Sequence, residues 1–177
     1  GNIGNSYTGE VLNTSNDSYT VAEISSFQLE TIHKFHPVVS AILNITPDHL
    51  NRHHTMECYS KTKENISMNQ TKDDVCVLNM EDEELYRFGS ECPAKVVWFS
   101  SKRKPEIGAY VQGDDIRYAD GTTDELMVNV HDMNLLGTHN YENVCAAIAM
   151  TKAAGIPDDI IIEPVSYTHL RAHETRS

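Results

Sequence analysis

Val38–Ile45, VVSAILNI, is an apolar, β-branched run preceded by Pro37 and followed by the turn formers Thr46, Pro47 and Asp48. Continuous apolar runs of this length read as strands buried on both faces, which is how parallel sheets appear in sequence. Working outward, Asp74–Asn79 (DVCVLN) and Lys95–Ser100 (KVVWFS) repeat the pattern downstream, and Thr20–Ser25 (TVAEIS) repeats it upstream. Phe27, Leu29, Ile32 and Phe35 fit a short helix or turn after the first of these runs. Met56–Gln70 reads as a helix with Met56, Tyr59, Ile66 and Met68 on one side, and Glu81–Phe88 as another. Strands alternating with helices predict an α/β fold, a mostly parallel sheet flanked by helices.

Beyond Ser100 the pattern changes. Gly108–Gln112, a Gly-Asp-Asp turn and Asp115–Ala119 look like a hairpin, and Glu125–Val130 follows Asp120-Gly121 as a third strand. A small antiparallel β-sheet is therefore expected beside the parallel one. Asn140–Ala154 is an Ala-rich helix closed by Gly155 and Pro157.

The 177 residues suffice for one domain with a core, and 40% hydrophobic with 23% charged residues is the composition of a globular protein. A net charge of -12 without a Lys/Arg-rich stretch argues against nucleic acid as a partner. No apolar run spans a membrane and no signal-peptide pattern opens the chain, so a cytoplasmic location is expected. Cys58, Cys76, Cys92 and Cys145 lack C-x-x-C spacing and are read as free thiols. Back-translated with ordinary codons, Val165 to Thr175 reads as transposon-end and adapter sequence from short-read library preparation. Residues 165–177 are accordingly expected to be a translated artefact outside the fold, and their His169 and His173 are not taken as ligands.

In open parallel sheets ligands bind beyond the carboxyl ends of the strands. Two such ends carry reactive residues here: Glu23-Ile24-Ser25-Ser26-Phe27-Gln28 and Asn44-Ile45-Thr46-Pro47-Asp48-His49. Glu23 between Ala22 and Ile24 would need a cation partner if buried, for which magnesium is suited; the competing reading is a strand-end Glu facing solvent. His49 and His53 have a His-x-x-x-His spacing, but Pro47 argues against a helix through them and no Glu follows His49, so zinc hydrolysis is disfavoured. No G-x-S-x-G motif supplies a nucleophile.

Five ordered motifs carry a resemblance: GNIG at Gly1–Gly4, EISSFQLE at Glu23–Glu30, LNITPDHLNRH at Leu43–His53, the Tyr59-x-x-x-Lys63 spacing, and GTHNYENVCAA at Gly137–Ala147. Together they resemble the Mur ligases over residues 1–164, and EISSFQLE resembles the D-glutamate-adding branch. The resemblance implies the central ATP-binding domain, P-loop NTPase-like in fold, of an enzyme of peptidoglycan biosynthesis. It further implies ATP activation of a carboxylate as an acyl phosphate, which an amine then displaces to form an amide. The implied reactants are UDP-N-acetylmuramoyl-L-alanine, D-glutamate and ATP, with Mg2+, and the implied complete enzyme is a monomer.

By the same resemblance Glu23 and His49 would hold Mg2+, and Lys63 would be carbamylated and so become an anionic metal ligand. These three are the expected catalytic residues. Carbamylation requires a neutral amine, which burial favours; without the family context Lys63 reads as a surface lysine near Lys61. Asn140 and Asn143, three apart on one helix face, would read ATP, although Asn140 also suits a helix cap. Asn2, Ser25, Ser26 and Gln28 would face the muramoyl substrate.

Two departures stand out. Asn51 occupies a position where many relatives carry Asp, and no G-x-x-x-x-G-K-[ST] loop occurs. The first strand and phosphate loop are thus expected to be missing, and the chain alone to be inactive. The alternatives are another Mur-type or folylpolyglutamate-type ligase, or a non-catalytic remnant that binds magnesium or nucleotide.

Overall fold

The computed structural model describes residues 4–46, 55–133 and 137–167. Among these residues six strands form one sheet in the order β1-β2-β3-β4-β5-β6: Val39–Ile42, Val75–Asn79, Lys95–Ser100, Ile107–Gln112, Asp115–Asp120 and Asp124–Asn129. β1 to β4 pair parallel, β5 pairs antiparallel with β4, and β6 pairs antiparallel with β5. The antiparallel hairpins are therefore continuous with the parallel sheet through β4.

Strand alternation divides the core into two layers. On one face Val77, Val97, Phe99 and Ala109 pack with α5 (Thr138–Ala153) and α6 (Asp158–Tyr167), through Val144, Cys145, Ile148, Ala149 and Ile161. On the other face Ile42, Cys76 and Leu78 pack with α3 (Met56–Glu64) and α4 (Glu83–Phe88), through Tyr59, Leu85 and Phe88. Two very short helices, α1 (Tyr7–Glu10) and α2 (Ser26–Leu29), precede β1.

Each helix starts where its sequence supplies a cap. The Thr55 hydroxyl accepts from Cys58 N, and the Asp82 carboxylate accepts from Glu84 N and Leu85 N, satisfying amide groups that the first turn leaves unpaired. At the other end of α5, Gly155 has φ 75°, a conformation open to glycine, and ends the helix as expected.

The β3–β4 join is unusual, because only residues 101–106 link two parallel strands. Parallel neighbours ordinarily need a longer crossover. Here the strands overlap at three pairs only, Trp98↔Gly108 to Ser100↔Tyr110. Gly108 has φ +144°, and a Cβ on it would lie 1.8 Å from the Trp98 carbonyl oxygen. Glycine is required at this crossing on both counts.

Several expectations change. Thr20–Ser25 is not a strand: it forms no ladder with any of the described residues, and Val21 is 91% exposed. β-branched sequence favours a strand only where another strand pairs with it, and among the described residues β1 is paired with β2 alone. Glu23 is exposed as a consequence, so the argument from a buried strand carboxylate does not hold. The long helix expected over Met56–Gln70 ends at Glu64 and gives way to a tighter turn at Asn65–Ser67, which rotates Met68 outward to 51% exposure. Asn140 does not cap α5; Gly137 stands at the cap and Asn140 donates its backbone N–H to Gly137 O. Residues 165–167, expected to lie outside the fold, continue α6, and Val165 packs partly buried against the first core layer. The four cysteines are free, as read.

Candidate active site

A cleft of about 270 Å³ opens at the carboxyl ends of the parallel strands. Leu43, Asn44 and Thr46 after β1 form one wall, Asn79 and Phe99 from β2 and β3 form the floor, and His139, Glu142 and Asn143 of α5 form the other wall. This is where a twisted parallel sheet splays its strand ends, and it combines apolar surface with a few convergent polar groups.

The β1 wall has no regular structure of its own and is held by side chains. Asn79, buried at 7% exposure, donates through Nδ2 to Leu43 O at 3.0 Å and accepts from Glu81 N through Oδ1 at 2.9 Å. Asp82 serves two elements, accepting from Ile45 N at 2.6 Å while capping α4. Lys63, near the end of α3, donates its Nζ to Asn44 O at 2.8 Å, and the same nitrogen lies 4.9 Å from the centre of the Tyr59 ring, one helical turn back. Tyr59 is itself 4% exposed, so its ring is a fixed platform for the amine. A further tie joins the loops after β2 and β3, where Ser100 Oγ donates to Glu81 Oε1 at 2.6 Å and Arg103 Nε donates to the same oxygen at 3.2 Å.

On the α5 wall, Ser101 Oγ donates to Glu142 Oε1 at 2.5 Å. Burial, reinforced by the Glu142 carboxylate, pushes the Cys145 thiol up to about 12, which leaves it an inert part of the core.

The structure brings some expected residues together and leaves others apart. Asn143 lines the cleft, and Lys63 reaches it through Asn44; Asn140, earlier on the same helix, does not line it. Ser25 and Gln28 form a reciprocal cap at the start of α2: Ser25 N donates to Gln28 Oε1 at 2.9 Å, and Gln28 N donates to Ser25 Oγ at 3.4 Å. Ser26 is buried. Glu23 does not line the cleft, while His49, His53, Asn51 and Asn2 lie outside the described residues. Among the described residues no group of three or more His, Cys, Asp or Glu side chains is placed to hold a metal ion. No helix among them is long and apolar enough to cross a membrane.

Asn79, Asp82, Ser101, His139 and Glu142 are not singled out as site residues in the sequence reading, and Tyr59 is read there only as a helix-face residue and as a spacing to Lys63. Asp82 reads in sequence as lying inside a helix over Glu81–Phe88, whereas the helix begins at Glu83 and Asp82 caps it. Asn79 closes its strand at the same sheet edge as Asn44. Nothing local marks Ser101, whose partner is 41 residues away.

The Mur ligase middle domain matches residues 2–151. The chain belongs to this family. A relative from Lachnospira eligens, UDP-N-acetylmuramoylalanine--D-glutamate ligase, is 79% identical over 165 residues, covering 93% of this chain and 37% of that protein. The chain thus spans little more than a third of that relative's length. Among solved structures, MurF from Acinetobacter baumannii superposes with a TM-score of 0.58 at 17% identity, over 74% of this chain and 29% of that one. MurF ligase from Thermotoga maritima, solved in complex with ADP, gives 0.50 at 15% identity, over 75% and 31%. These likenesses support the α/β fold of a Mur ligase middle domain.

Proposed function

We propose that the protein containing this chain joins D-glutamate to UDP-N-acetylmuramoyl-L-alanine in peptidoglycan biosynthesis, at the expense of ATP and through an acyl phosphate. The observation that carries this reading is the strand-end cleft, where Asn143 stands opposite the loop that Lys63 holds. The 79% identity to a D-glutamate ligase supports the choice of amino acid.

In this reading Asn143, with Asn140 beside it, receives the nucleotide. Lys63, as its carbamate, together with Glu23 and His49 would hold Mg2+, which when bound neutralises phosphate charge. The described residues supply Glu23 and Lys63 but no complete ligand set, so no step is routed through the metal. This chain's own part is to orient: Asn79, Asp82 and Lys63 fix the loop after β1, and Ser25, Ser26, Gln28 and Asn2 face the muramoyl substrate. The working location is the cytoplasm, and the whole protein acts as a monomer.

The test compares the whole protein with this chain. Given ATP, Mg2+, UDP-N-acetylmuramoyl-L-alanine and D-glutamate, the whole protein is expected to release phosphate, and the chain none above blank. Preference for a different amino acid, or for folate extended by glutamate, would remove the D-glutamate assignment. Turnover by the chain alone would overturn the partial-domain reading.

A further inference from the structure

Two of the free cysteines stand together, away from the cleft. Cys76 on β2 is fully buried, and Cys92, in the connection between α4 and β3, is 4% exposed. Both belong to the layer packed under α4, with Leu85, Phe88 and Ala94. The Cys76 thiol donates a hydrogen bond to Cys92 Sγ, which holds Cys92 below the ordinary thiol range and Cys76 above it. Lys72 Nζ donates to Cys92 O at 3.1 Å and to Ala94 O at 3.2 Å, so a full positive charge stands beside the pair and also favours the Cys92 thiolate. Cys145 shows the contrast: alone in the other core layer, its thiol is pushed up by burial and stays inert.

We propose that Cys76 and Cys92 form a covalent modification site for low-molecular-weight disulfides, with Cys92 the attacking thiol and Cys76 the resolving one. The Cys92 thiolate attacks one sulfur of the reagent, which forms a mixed disulfide and releases one thiolate. Cys76 then gives up its proton and attacks Cys92 Sγ, so that the Cys76–Cys92 bond forms and the second thiolate leaves. The pair loses two electrons, the reagent gains them, and the two cysteine protons end on the two released thiols. The new bond brackets α4, Asn79 and Asp82, the segment that anchors the loop after β1.

The experiment uses the whole protein that contains this chain, kept folded and exposed to oxidised glutathione. Remaining thiols are alkylated, and peptide mass mapping reads each cysteine separately. Cys76 and Cys92 are expected as one linked peptide pair that dithiothreitol reverts to two thiols. Because the second step is intramolecular, the linked form should exceed the Cys92–glutathione adduct about tenfold or more. Cys76→Ala removes the resolving thiol, and glutathione should then remain on Cys92. If that variant fails to fold, the linked peptide from the unaltered protein decides alone. Three outcomes would each overturn the proposal: both thiols alkylated only after unfolding, a lasting adduct on Cys92 with Cys76 present, or a link from either residue to another cysteine. The reading of the strand-end cleft stands or falls independently of this result.

Discussion

In the antiparallel half of the sheet, Asp124 is ringed by side chains: Lys104 Nζ at 2.5 Å, Tyr110 Oη at 2.7 Å and Arg117 Nε at 3.0 Å. In the parallel half, Asn79, Asp82 and Lys63 each bond a backbone atom of the loop after β1 instead. The first network closes on itself and can only stabilise. The second spends its polar groups on fixing a loop that has no ladder of its own, and the loop's outer surface becomes the wall of a cleft. Polar side chains bound to each other make a fastening; polar side chains bound to a loop make a site.

The comparison breaks most severely at the seam. Gly108→Ala adds a methyl where a backbone oxygen already stands and keeps a backbone angle that alanine resists, so a loss of about 3 kcal/mol or more is expected. Urea unfolding should show it, and a variant as stable as the parent would mean that β4 does not cross β3 so closely. Next, Asp82→Ala removes both a helix cap and the hold on Ile45, for about 2 kcal/mol. Hydrogen exchange should then rise at Ile45 as well as in α4; exchange confined to α4 would deny the double duty.

A pH titration sharpens the contrast further. Lys104 beside Asp124, with the Tyr110 hydroxyl, lowers its pKa from 3.8 to about 2. A depressed carboxyl contributes stability above its unfolded value, and that contribution is lost as pH falls from near 4 through about 2. Asp124→Asn is expected to flatten the acid side of the stability profile; an unchanged slope would show that the ring of partners contributes little. Asp74, lowered chiefly by its bond to His36, acts in the same direction and remains as background. Smallest is Lys63→Met, which forfeits one hydrogen bond to Asn44 and costs roughly 0.5–1 kcal/mol in chemical denaturation. A much larger loss would make Lys63 a structural residue first.

How much of this was legible in the sequence follows from the range of the forces involved. β1, β2 and β3 declare themselves because burial on both faces demands unbroken apolar runs, and Gly113 and Gly121 mark the hairpin turns by their positive φ. Thr20–Ser25 carries the same local signal and is no strand, because pairing is a property of the neighbour and not of the segment. Asn143 could be found from its helical spacing and motif. The tie from Glu142 to Ser101 could not, since the fold alone brings the two near. Tyr59 was visible as a helix-face residue and as a spacing to Lys63; that its ring lies under the amine is a fact of three dimensions.

Helix α5 packs across strands β1 to β5 and carries Glu142 and Asn143 near its first turns. Its 16 residues make a rod about 24 Å long. Pivoted at Ala153, that rod would carry Asn143 through about 1.3 Å for a tilt of only ~5°, given a rise of 1.5 Å per residue. Hydrogen bonds tolerate a few tenths of an ångström. The helix is thus a lever arm with its fulcrum in the core, and the side chains that wedge it, Ile148, Ala149 and Cys145, set the alignment of a cleft they never touch.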